Sequence, residues 1–127
     1  MSVGHATTAG AKGSKVRSIG LWIVTALLAC LFVLSGSMKF VNPDMAENFA
    51  KWGYPDWFRI LIGVVELAGG LILLLPRTAL YAAGVLGIVM VGAVFTHLGH
   101  GETPQAAVPL VLLVLLVIVG YARRRAT

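Results

Sequence analysis

Three ionisable residues lie where an apolar chain should carry none. The run "LIGVVELAGGLILLL", Leu61 to Leu75, is apolar throughout except for Glu66. Lys39 follows "LSGSM" at the end of an earlier apolar run, and His97 lies near the end of a later one. A carboxylate, an ammonium and an imidazole can hold a polar ligand in an apolar medium, or accept a proton and pass it on. An unpaired charge at the centre of a bilayer costs on the order of 3 kcal/mol on insertion scales. Glu66 must therefore be protonated, paired or wetted. Plainer roles stand beside these: Lys39 can snorkel to an interface, His97 can bond its neighbours, and Glu66 can belong to a structural ion pair that fixes helix register.

The elements that must carry these residues follow from composition. Of 127 residues, 58% are hydrophobic and only 12% charged, and the mean hydropathy is +0.90. That balance is of a membrane protein. A helix needs about 20 mostly apolar residues to cross roughly 30 Å of hydrocarbon, and four windows qualify, at about 19–38, 57–75, 79–98 and 105–121. The alternating segments of a closed barrel are absent. The fold class expected is all-α, an integral membrane four-helix bundle.

Charge distribution gives the topology. Lys12, Lys15, Arg17, Arg77, Arg123, Arg124 and Arg125 all fall on one side of this arrangement, whereas Lys39, Lys51 and Arg59 on the other side are offset by Asp44, Glu47 and Asp56. The positive-inside rule then puts both termini in the cytoplasm. Arg77 and the Arg123–Arg125 tail read as topology and headgroup anchors, not as a nucleic-acid surface. Residues 1–18 are expected to be a disordered cytoplasmic tail, 19–121 the membrane domain, and 122–127 a short basic tail. The single cysteine, Cys30, excludes an internal disulfide and reads as a buried small hydrophobe.

The first outer loop is patterned. Asn42 and Pro43 start a helix, Met45, Phe49 and Trp52 recur at helical spacing, Glu47 and Lys51 form an i, i+4 pair, and Gly53 with Pro55 stops the run. A short amphipathic helix at the membrane surface is expected. Thr78 and Thr103 are expected to cap the third and fourth spans. Glycines and alanines crowd the second and third spans, which are expected to form the tightest pair.

Counting ~1.5 Å per residue from Trp57 puts Glu66 about 13 Å deep, near the midplane. Arg59, Gly63, Glu66 and Gly70 share a helix face. The expectation is an outward-opening polar pocket with Glu66 at its base and Lys39, His97 and Arg59 at its rim. A haem would need two axial ligands from different spans, and a metal centre built from Glu66, His97 and His100 lacks enough ligands at one depth. No phosphate loop or nucleophile triad is present.

The segments "GSMKF" (36–40), "WGYP" (52–55), "GVVELAGGLILLLPRT" (63–78) and "FTHL" (95–98) occur in an order that resembles the DoxX-like family of small bacterial membrane proteins. The resemblance implies a four-helix bundle in the bacterial cytoplasmic membrane, with Lys39, Glu66, Arg77 and His97 at the motif positions. It also implies a role near quinone-linked sulfur oxidation or oxidative-stress complexes. On that basis the expected function is an accessory subunit that binds a quinone. Lys39 would fix an oxygen, and Glu66 and His97 would relay a proton. No intrinsic cofactor is expected. Electrons would come from a redox partner protein, and the lipid bilayer and a second copy of the chain complete the expected partners. A non-enzymatic assembly protein and a small-solute or proton-coupled transporter are the alternatives.

Overall fold

The computed structural model describes the backbone of residues 2–125 and the side chains of residues 13–125. Met1, Ala126 and Thr127, the extreme ends of the two expected tails, lie outside the described residues. The described chain is helical, with no strand: α1 (Ser2–Val41), α2 (Pro43–Lys51), α3 (Asp56–Leu73), α4 (Ala79–Gly99), a 3-10 turn (Pro104–Ala106) and α5 (Ala107–Arg123).

The segment expected as a disordered tail instead continues α1 backward to Ser2. No proline interrupts residues 2–41, so the hydrogen-bond ladder begun in the apolar run can continue N-terminally without a break. Residues 13–18 are exposed, and the glycines and threonines of this stretch are poor helix formers, so the extension gains little from burial or propensity. At 40 residues, α1 is about 60 Å long, roughly twice the hydrocarbon thickness of a bilayer.

Helix α1 stops where Pro43 forces the preceding residue out of the helical region. Asn42 sits at φ −93°, ψ 116°, and its side chain accepts a hydrogen bond from the Asp44 amide. The expected amphipathic helix is thereby present as α2. Its buried residue Phe49 stacks at 5.4 Å from Trp52, 5.9 Å from Tyr54 and 6.3 Å from Phe58, which pins α2 onto the start of α3. Gly53, at φ +88°, makes the turn between them, a conformation that a side chain would disfavour. Neither Thr78 nor Thr103 makes an N-capping hydrogen bond; Thr78 Oγ1 donates back to carbonyls of Ile72 and Leu75, and a 3-10 turn precedes α5.

The four long helices touch in a cycle: α1 on α3, α3 on α4, α4 on α5, and α5 on α1. The most extensive contacts are α1 with α3 and α4 with α5, not the α3–α4 pair expected from the glycines. The glycines of α3 serve α1 instead. A Cβ at Gly36 would lie 2.7 Å from both the Gly63 carbonyl oxygen and the Leu67 amide, and one at Gly70 would press on Ala29 and Phe32. Gly69 alone among them faces α4, receiving Leu86. The core gathers Leu28 and Phe32 of α1, Leu73 of α3, Leu86 and Met90 of α4, and Leu116 and Val119 of α5.

The outer face is apolar. Leu27, Leu31, Val64, Leu71, Ile88, Phe95 and Val117 are all exposed, a belt that water would not tolerate on this scale. Cys30, expected to be buried, is exposed on this face of α1. Gly13–Val41, Ala79–Gly99 and Pro104–Arg123 are long and apolar enough to cross a membrane. Helix α3 is not among them, because its 18 residues include Asp56, Arg59 and Glu66. The three apolar helices place the chain in a lipid bilayer.

Candidate functional site

The close approach at Gly36 determines what the neighbouring side chains can reach. Ser35 and Lys39 are one helical turn apart on α1, on the face that meets α3. With no Cβ at Gly36 or Gly63 to hold the backbones apart, Lys39 Nζ comes within 2.6 Å of Glu66 Oε1. Lys39 also donates to Ser35 Oγ at 3.1 Å. Glu66 is only 2% exposed and Lys39 8%. The charge that was costly in isolation is therefore paired directly, in a setting where little water screens the attraction.

Arg59 does not join this pair through its charge. Its guanidinium donates to Asp56 Oδ1 at 2.9 and 3.0 Å and to the backbone carbonyl of Lys39. That carbonyl belongs to the last turn of α1, where no intrahelical donor is left for it. Arg59 thus caps α1 and holds Lys39 in place from behind.

His97 belongs to a second polar centre. Its Nδ1 lies 2.9 Å from Glu102 Oε1, the same oxygen that accepts from Trp52 Nε1 at 3.0 Å. Lys51 Nζ lies 3.6 Å from Glu102 Oε2, so Lys51 pairs across the fold and not with Glu47. The Trp52 indole meets the His97 ring edge-on at 5.3 Å. Tyr54 and Thr96 share a hydroxyl hydrogen bond at 2.7 Å, and His100 Nδ1 lies 2.8 Å from the Thr96 carbonyl. The hydrogen bond to His97 holds the Glu102 carboxyl below its ordinary value of 4.5; burial opposes this, and Trp52 and Lys51 reinforce it.

The expected pocket is therefore divided. Lys39 and Glu66 meet and are closed over, Arg59 caps the helix behind them, and no described hydrogen bond or ion pair joins His97 to either. Residue counts along straight helices place His97 near the height of Lys39 but carry no information about the loop that follows the helix. Glu102, five residues beyond His97, competes for the imidazole and wins by proximity. Glu102 and Ser35 were not read as site residues; the signal for Glu102 was an acid in "HGETP" just past a helix that ends in His97.

Arg77 and Arg123–Arg125 lie at the end of the bundle formed by the α3–α4 turn and the end of α5. Arg77 is exposed in the turn between α3 and α4. The Arg123 guanidinium lies 4.5 Å from the Trp22 ring, and that of Arg124 lies 3.8 Å from the Tyr121 ring. Arg125 is exposed beyond them. Among the described residues, no group of three His, Cys, Asp or Glu side chains stands close enough to hold a metal ion.

Comparison with known proteins agrees with this architecture. The chain is similar to the uncharacterised protein YdgD of Bacillus subtilis, with 28% identity over 110 residues that cover 78% of this chain and 96% of YdgD. No solved structure matches. The sequence model of the DoxX-like family matches residues 23–119, a stretch that holds both polar centres, α3 and α4 whole, most of α5 and the C-terminal part of α1. This chain belongs to the DoxX-like family.

Proposed function

We propose that this protein crosses the bacterial cytoplasmic membrane four times, with both termini in the cytoplasm, as an accessory subunit of a quinone-linked redox system. Helix α3 is the fourth span in this reading. Its Glu66 is neutralised by Lys39, and its other two charges, Asp56 and Arg59, pair with each other at its outer end. The bias of Lys and Arg to one side sets the orientation.

The observation that carries the functional reading is the Lys39–Glu66 contact at 2.6 Å, closed off from solvent between α1 and α3. A quinone carbonyl that displaces Glu66 would accept a hydrogen bond from Lys39 Nζ, and the freed carboxylate would take up a proton from water and pass it to the reduced oxygen, acting as a relay and not as the source. Reduction of a quinone to a quinol takes two electrons and two protons. The electrons come from a partner protein with its own redox centre, since this chain offers no dithiol. His97 plays no part in this dyad; it anchors α2 to the turn before α5.

The closed state of the pair favours a second reading, in which it locks α1 to α3 in a non-enzymatic assembly protein. Titration of the purified protein with a short-chain quinone, followed by tryptophan quenching, separates the two. The redox reading expects saturable quenching that Glu66→Gln abolishes while helical content is kept. Absence of saturable quenching with folded wild type refutes it. Failure of Glu66→Gln to assemble, together with no ligand for wild type, supports the lock.

A further inference from the structure

A groove of about 530 Å³ runs along the outer face between α4 and α5. On α4 it is floored by Ala83, Gly84 and Gly87, and it reaches from Leu80 to Val91; Tyr121 of α5 closes one end. The distance from Leu80 to Val91 is about 16 Å along a helix, which matches one leaflet of a hydrocarbon core roughly 30 Å thick. The groove therefore begins at one membrane surface and ends near the midplane. A transmembrane helix from a second copy would need a track twice as long.

The surface at which it begins is the basic one. Arg77 lies three residues before Leu80, and Arg124 and Arg125 follow Tyr121. The two ends are in contact, since a Cβ at Gly120 would lie 3.2 Å from Ala83 and 3.6 Å from Leu80. Arg124 is already poised at the rim: its guanidinium stacks on Tyr121 and donates one hydrogen bond to the Tyr121 carbonyl, which leaves further N–H groups for a phosphate.

We infer that the α4–α5 groove is a binding site for one anionic phospholipid, with an acyl chain lying from Leu80 to Val91 and the phosphate held by Arg77, Arg124 and Arg125. An apolar track one leaflet long with cations at its surface end is complementary to that molecule in both shape and charge.

The test uses the full-length protein in detergent, titrated with phosphatidylglycerol or phosphatidylcholine and examined by native mass spectrometry. Wild type should retain one phosphatidylglycerol saturably, with roughly 30- to 150-fold preference over phosphatidylcholine, the size expected from two or three surface cations at about 1 kcal/mol each. Nothing lies within 4 Å of a Cβ at Gly84, so Gly84→Leu fills the groove without straining the fold and should abolish retention of both lipids. Arg77→Gln with Arg124→Gln and Arg125→Gln should keep the groove but remove the preference. Val108→Phe, in a separate groove between α1 and α5, should change nothing. Equal, unsaturable retention of the two lipids, or retention unaffected by Gly84→Leu, overturns the proposal. So does a concentration-dependent dimer that Gly84→Leu dissolves while no lipid is bound, which would make the groove an interface between copies.

Discussion

Replacing Lys39 by methionine keeps an unbranched stem in the α1–α3 contact and deletes the ammonium 2.6 Å from Glu66. Water cannot easily replace it, because the acid is 2% exposed. Arg59 is already tied to Asp56 and to the carbonyl of residue 39. Removing one partner of a buried pair costs about 3–5 kcal/mol. Polar contacts between helices in lipid average nearer 0.6 kcal/mol, because the unfolded chain finds substitutes in the membrane. The near-complete burial of both groups puts this pair with the first class, so the expected loss for Lys39→Met is about 3 kcal/mol. The double variant Lys39→Met with Glu66→Leu leaves no stranded charge and should recover to within about 1 kcal/mol of wild type. The coupling energy between the two positions is then at least about 2 kcal/mol. Reversible unfolding in mixed micelles of mild detergent and dodecyl sulfate, followed by circular dichroism, measures all four corners of the cycle. A single variant within about 0.6 kcal/mol of wild type would show that the pair contributes nothing net. A double variant as damaged as the single would show that stem packing, not charge, is what Lys39 supplies.

Two further outcomes follow from the same geometry. Gly36→Ala puts a methyl 2.7 Å from backbone atoms of Gly63 and Leu67 that cannot rotate away, so it should cost about 1–3 kcal/mol in that unfolding assay; Gly87→Ala, whose nearest neighbour is Leu113 at 3.5 Å, serves as the tolerated comparison. Because the folded carboxyl of Glu102 is held below its ordinary 4.5, its contribution to stability is present above that value and is lost as pH falls through the lower folded value. A stability titration downward from pH 5 should therefore show a slope that Glu102→Gln flattens, and an unchanged slope would refute the role of the His97 and Trp52 bonds.

Much of this was legible in the residues. Helix ends at Asn42–Pro43, Gly53–Pro55 and Pro76 follow from backbone chemistry and match closely, and the depth of Glu66 demanded a partner that Lys39 supplies. What failed depends on which faces meet. Gly63, Gly69 and Gly70 announce close packing on α3 but do not say against whom, and the answer came from Gly36 on α1, near the end of a long apolar run. The pairing of His97 was decided by Glu102 in a short loop, where a turn at Gly101 with φ +72° folds the acid back under the imidazole. Hydropathy reports none of this, because two residues either side of a helix end look the same whether the chain leaves or doubles back. The α1 extension to Ser2 has no positive signal in the residues: the stretch is rich in Gly, Thr and Ser, and only the absence of proline permits the helix to continue.

The hydrogen bond from Trp52 to Glu102 joins residues fifty positions apart. It ties the connector between α1 and α3 to the connector between α4 and α5, and so the two most extensively packed helix pairs to each other. At the opposite end, those pairs are joined by the chain itself through 74–78 and by Arg123 resting on Trp22. The two pairs are thus fastened at both ends as well as through the core they share. At the Lys39 end the fastening is polar and redundant: Glu102 takes Trp52, Lys51 and His97 at once, and Tyr54 meets Thr96 beside it. A single carboxylate there does the work of a clasp, so its charge bears on how two helix pairs are held together and not only on the imidazole it touches.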